Sequence, residues 1–130
     1  MIWAAIACYI LAAICNAVMD TLAHHFKESI FKNPLKPQFF WDPNISSLNK
    51  YKHRDPEEGP KFFGATTFLV WTTDAWHLFQ FFQGTLIAIA VVLAMSADLV
   101  PTLWQGILIV IGMKITWGSV FEFFYSKIFV

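Results

Sequence analysis

Charge is what this chain has least of. Only 14% of its 130 residues are charged, where a soluble domain carries about a quarter. Residues 2–19 carry no charge at all. Hydrophobic residues make up 57% and aromatics 18%, and the apolar ones fall in blocks. That combination excludes an ordinary soluble domain and points to an all-α integral membrane protein. The basic and acidic residues balance to a net charge of zero and are intermixed, so nothing implies a nucleic-acid partner. Cysteine is scarce too. Cys8 and Cys15 both lie in the first apolar block; seven apart on a helix, they share a face and cannot bridge, so they read as free thiols. The N-terminal run lacks a basic lead, and "LAAIC" sets Ile14 before Cys15 where a lipobox has a small residue. It therefore reads as a retained first span. There is no glycine-rich phosphate loop, no HExxH, no GxSxG and no paired CxxC. No stretch resembles the signature of a known family.

Three long apolar segments are present. A hydrocarbon core of about 30 Å takes about 20 helical residues, and each segment is long enough. The reading is a single membrane domain over 1–130, with helix one at 2–30, a cytoplasmic loop at 31–64, helix two at 66–97 and helix three at 101–125. Pro101 suits the first turn of helix three, which makes residues 96–101 a tight hairpin. Helix two is longer than a span needs. The favoured reading is one continuous helix capped at Thr66 or Thr67; the other puts residues 61–71 in a separate short piece before a break near Thr72 and Thr73.

The stretch between spans one and two holds five of the six prolines, together with Phe39, Phe40, Trp41 and Tyr51. Disordered linkers are poor in aromatics, so this loop reads as ordered and lying along the membrane interface. Seven of the nine basic residues (Lys27, Lys32, Lys36, Lys50, Lys52, Arg54 and Lys61) also fall in this connection. The positive-inside rule then puts the loop and C-terminus in the cytoplasm and the N-terminus outside, in a bacterial inner membrane.

Helical rise brings the remaining polar residues to one depth. Measured from the outer helix ends, Asp20 lies about 27 Å down, His24 about 33 Å, His77 about 30 Å, Asp74 about 34 Å and Glu122 about 32 Å. Asn16, Asp20 and His24 recur at i, i+4 and i+8; Asp74, His77 and Gln80 at i, i+3 and i+6; Lys114, Gly118 and Glu122 at intervals of four. Because charge in lipid is costly, each stripe is expected to face inward and meet the others. A second layer, deeper in the membrane, would contain Asn16, Gln80, Gln83 and Lys114. His25 points about 100° away from His24 and falls outside the shared site.

Three readings suit such a layer. Asp20, His24, Asp74, His77 and Glu122 form an N/O ligand set for a divalent metal such as Zn, Mn, Fe or Mg. They also suit metal-free acid/base chemistry or a proton path, or ion pairs that fix helix register. Haem held by His24 and His77 is a weaker option, because carboxylates are unusual beside its iron. In "NISSLNKYKHR", Asn49, Lys50, Lys52 and Arg54 could hold an anionic headgroup, with Lys114 stabilising negative charge. The functional expectation is a metal-dependent hydrolase or transferase acting on a lipid or lipid-linked phosphate, with membrane lipids as partners. The alternative is an ion- or proton-conducting protein, or a small subunit of a homo-oligomer or membrane complex.

Overall fold

The computed structural model describes residues 1–97 and 102–130. The described chain is helical without strands. Its helices are α1 (Ile2–His24), two short turns α2 (Gln38–Trp41) and α3 (Pro43–Ser46), α4 (Ala75–Met95) and α5 (Leu103–Phe123). A π-helical turn, Phe124–Phe129, continues α5. Three helices are long and apolar enough to cross a membrane: Ile2–His24, Ala75–Met95 and Leu103–Phe129.

α1 is the middle of the bundle. It packs against α4 over most of its length and against α5 on another side, while α4 and α5 make almost no contact with each other among the described residues. The cause lies in residue size. Ala12, Ala13 and Ala17 are fully buried, and small side chains let neighbouring backbones come close where lipid supplies no hydrophobic drive. By contrast, α4 buries only Ala75 and Ala90, and α5 buries none of its residues. The outer faces of α4 and α5 are apolar and exposed, as lipid contact requires.

Each long helix starts or stops at a local signal. α5 begins with a capping box, in which the Thr102 hydroxyl accepts from the Gln105 N–H at 3.4 Å and the Gln105 side chain accepts from the Thr102 N–H at 2.9 Å. The expected hairpin and the role of Pro101 fall on residues 98–101, outside the described residues. α1 stops at His24 rather than near Ile30. A short 3-10 turn, Phe26–Glu28, follows and swings Phe26 and Phe31 into the core.

The largest departure from the sequence reading is at the second span. The helix starts at Ala75, not at Thr66. Gly64 has φ +83°, and tight turns fill the interval up to Thr73. The hydroxyls of Thr72 and Thr73 donate back to Leu69 O and Val70 O at 2.8 and 2.7 Å. Such back-bonding, with a β-branched run, competes with helix formation. Trp71 then stacks on Phe81 at 4.6 Å, which folds the turns against α4.

The core sits at one end of the bundle. Ala17, Val18, Leu22, Phe26, Phe31, Ala75 and Phe129 form it, with Phe40, Trp41 and Phe79 packed against it. Phe31 stacks on Trp41 at 5.3 Å, and the Lys36 ammonium lies within 5 Å of both rings. The π-turn widens the helix enough to bring Phe129 onto Phe31 and Phe124. Ile30 N–H donates to Phe129 O at 3.0 Å, tying the loop to the C-terminal turn.

Ala17→Leu should destabilise the bundle by about 1–3 kcal/mol through overpacking. Ala88→Leu, on the exposed side of α4, should stay within about 0.5 kcal/mol of the parent protein. Reversible unfolding in mixed micelles measures both.

Candidate functional site at one end of the bundle

The C-terminal ends of α1 and α5 and the N-terminal end of α4 lie at the same end of the bundle, because all three run into the aromatic core. The ionisable residues expected in one layer therefore share an end. They do not share a centre: among the described residues no three His, Cys, Asp or Glu side chains converge as a metal would need.

Asp74 and His77 do meet. Asp74 is the N-cap of α4 in extended conformation, φ −156° and ψ 161°. Its Oδ1 accepts from the His77 N–H at 2.9 Å, which satisfies an otherwise orphan donor. Its Oδ2 lies 2.7 Å from His77 Nδ1. The Thr73 hydroxyl, 3.1 Å from the same Oδ2, has one proton to share between it and Val70 O. Asp74 is 2% exposed, whereas the His77 side chain is 23% exposed. A carboxylate oxygen accepts, so Nδ1 carries the proton and Nε2 is the free lone-pair side. The Trp76 ring stands edge-on to the imidazole at 5.0 Å.

The other predicted members lie elsewhere. His24 is exposed and lines an open cleft of about 380 Å³ with His25, Lys27, Glu28 and Asn44. His77 is no part of that cleft. His25, expected outside the site, is in the cleft with His24 and stands edge-on to Tyr125 at 5.4 Å. Asp20 is half-buried and close enough to Tyr125 for its charge to act there, as is Glu122. Glu122 is itself exposed and accepts from the Ser126 hydroxyl. Gln80, Lys114 and Gly118 are also exposed.

The inward-facing stripe expected on α5 is thus corrected. α5 turns its aromatic side to α1: the Tyr9 ring lies tilted against Trp117 with centroids 5.2 Å apart, and its hydroxyl donates to Met113 O at 3.1 Å. Phe121, Phe124 and Tyr125 pack on the core below. At 100° per residue, Gly118 and Glu122 then lie well off the contact face. Large aromatic surfaces gain more from packing than a polar stripe does. From the second expected layer one contact forms, Gln83 Nε2 donating to Asn16 Oδ1 at 3.0 Å between α4 and α1. Lys114 is left at mid-span, where a lysine costs about 2.5–3.5 kcal/mol on insertion scales.

The residues expected to hold a headgroup are spent in different ways. Both amide protons of Asn49 are used, one on Phe39 O at 2.6 Å and one on Thr73 O at 3.0 Å. Asn49 therefore pins the loop to the residue before Asp74. Arg54 donates to Ile45 O. Lys50 lies over the Tyr51 ring at 5.6 Å, and Lys52 is exposed. The turn they occupy is closed by the Tyr51–Pro60 bridge and by His53 Nδ1 at 2.6 Å from Glu58. Thr73, Trp76 and Tyr125 were not among the site residues expected from the sequence. The first two flank a capping aspartate and the third follows Glu122 by three residues, signals visible only once the helix starts are known.

Asp74→Ala should cost about 1–2 kcal/mol through loss of the cap, while Asp74→Asn, which still caps, should cost less than about 0.5 kcal/mol; thermal unfolding in detergent separates them. Asn49→Ala should leave the spans intact and speed proteolysis within residues 36–50, read by mass spectrometry of the cleavage products. Comparison with protein-family models, with curated proteins and with solved structures finds no match to this chain.

Proposed function

We propose that this membrane protein performs acid/base chemistry on a lipid headgroup or lipid-linked phosphate, with His77 as the proton-transferring group. The observation that carries the reading is the Asp74–His77 pair: a buried carboxylate, fixed as a helix cap, holds Nδ1 at 2.7 Å and leaves Nε2 free on a partly open imidazole. That is how a carboxylate sets the tautomer of a general base and steadies its protonated form. His77 Nε2 takes a proton from water or a substrate hydroxyl and returns it to the leaving group.

The neighbouring loop supports a phosphate-bearing substrate. Asn49 bonds to Thr73 O, beside Asp74, and the cations Lys50, Lys52 and Arg54 follow directly in the chain. Of these, Lys50 and Lys52 make no ion pair among the described residues, and their ammonium groups would hold the phosphate oxygens. The concentration of basic residues in this loop supports placing it and the C-terminus on the cytoplasmic side of a bacterial inner membrane, with the N-terminus outside. A divalent metal finds only the Asp74–His77 pair at this point among the described residues, since Asp20, His24 and Glu122 do not converge on it. The chemistry is therefore assigned to the pair.

Purified protein in vesicles of total bacterial lipid, followed by lipid mass spectrometry, tests the reading. Wild type should deplete one lipid class. His77→Gln should slow that depletion by about a hundredfold or more, and Asp74→Asn by a smaller factor, with both variants still folded. An unchanged lipid profile with wild type, or full turnover by His77→Gln, would sink the proposal.

A further inference from the structure

We infer that the exposed face of α5 around Lys114 is an interface for a second transmembrane protein, whose helix carries an aspartate or glutamate at mid-membrane. Lys114 is eleven residues from Leu103, about 16 Å along the helix and so near the middle of a core about 30 Å thick. Its side chain is exposed. A lysine stem reaches about 6 Å by its bond lengths and cannot carry the ammonium to either surface from there. Among the described residues no carboxylate lies within salt-bridge distance of it. α4 contains no acidic residue. The acid of α1, Asp20, and that of α5, Glu122, both lie near the loop end, Glu122 being about 12 Å further along α5. A positive charge held there by the sequence is expected to meet an opposite one.

The surface around it is open to a close neighbour. Ile107, Ile111, Lys114 and Gly118 recur at i, i+4, i+7 and i+11, forming one stripe, and all four are exposed. A Cβ added at Gly118 meets nothing within 4 Å, so this side has room for another backbone one turn from the ammonium. Trp117, which holds Tyr9, stands three residues on from Lys114, so the stripe borders the α1 contact side and its Ile111 and Gly118 edge lies away from it.

Charge also decides the occupant. A second copy meeting this face across a two-fold axis would set Lys114 against Lys114. A parallel copy at the same depth offers no described acid there, because Asp20, Asp74 and Glu122 all lie toward the loop end, Glu122 about 12 Å from Lys114 along α5. The partner is therefore a different chain that supplies the carboxylate. The inference is independent of the chemistry assigned to His77.

The test uses the full chain, donor-labelled, in phosphatidylcholine vesicles with acceptor-labelled single-span leucine helices. One helix has Asp at its midpoint, one has Leu there and one has Asp near its end. The mid-span Asp helix should reach half-maximal energy transfer at a density lower by about tenfold than the Leu helix. Lys114→Met, at an exposed position, should fold normally and lose that preference, and Lys114→Asp should prefer a helix with mid-span Lys. Equal association of all helices, or a preference retained by Lys114→Met, overturns the proposal. So does modification of Lys114 by a membrane-impermeant amine reagent as fast as Lys127, which would show that the ammonium reaches water. Energy transfer between two labelled copies, abolished by Lys114→Met, would assign the face to self-association and overturn it as well.

Discussion

The alanine-rich sides of α1 set how the other two long helices can sit. Inside lipid, apolar surface gains nothing by leaving one hydrocarbon environment for another, so close van der Waals contact must hold helices together. Ala12, Ala13 and Ala17 allow that approach, and α1 becomes the shared wall for α4 and α5. Two consequences follow. Among the described residues the three helices are not mutually packed around a lumen, so polar residues on α5 need not face those on α4. Most of α4 and α5 also stays available to lipid or to another protein.

A different force acts at the loop end. There the chain leaves hydrocarbon for water, and burying aromatic surface is again favourable, at about 25 cal/mol per Å². Phe26, Phe31, Trp41 and Phe129 gather beneath the helix ends, with Lys36 laid across two of the rings. This cluster fixes where α1 stops, where α4 starts and why α5 widens into a π-turn. The capping aspartate of α4 is thereby fixed in a dry place with its histidine beside it. A residue that serves the backbone as a cap is at the same time the orienting group of an imidazole. Its two oxygens divide those tasks between the His77 N–H and the His77 ring.

Much of this was legible in the chain itself. Span count follows from unbroken apolar runs, a local property that no packing changes. The depth of each polar residue follows from helical rise, and Asp20, Asp74, His77 and Glu122 do share one end. The pairing of Asp74 with His77 at i, i+3 was visible too. What could not be read was direction around the axis. Outside the Lys114–Glu122 stripe α5 is apolar all round, so its sequence marks no single apolar face for packing, and Trp117 and Phe121 won the contact with α1 over that stripe. The start of α4 was misjudged because Thr66 looks like a cap. The hydroxyls of Thr72 and Thr73 bond to earlier carbonyls instead and leave Asp74 to open the helix.

Sequence by itself determined that this chain has three segments long and apolar enough to span a membrane, that most of its charged groups collect at one end and that one lysine lies well inside the third segment. Those are matters of length and solvation, decided residue by residue. Tertiary structure decided which groups touch. It brought Gln83 to Asn16 and Tyr9 to Trp117, and it set His24 in a cleft beside His25 and Asn44. The physical reason is that rotation of a helix about its own axis costs almost nothing in lipid until side chains interlock. Only the packing of α1 against its two neighbours, and of the aromatic end against the loop, fixes that angle.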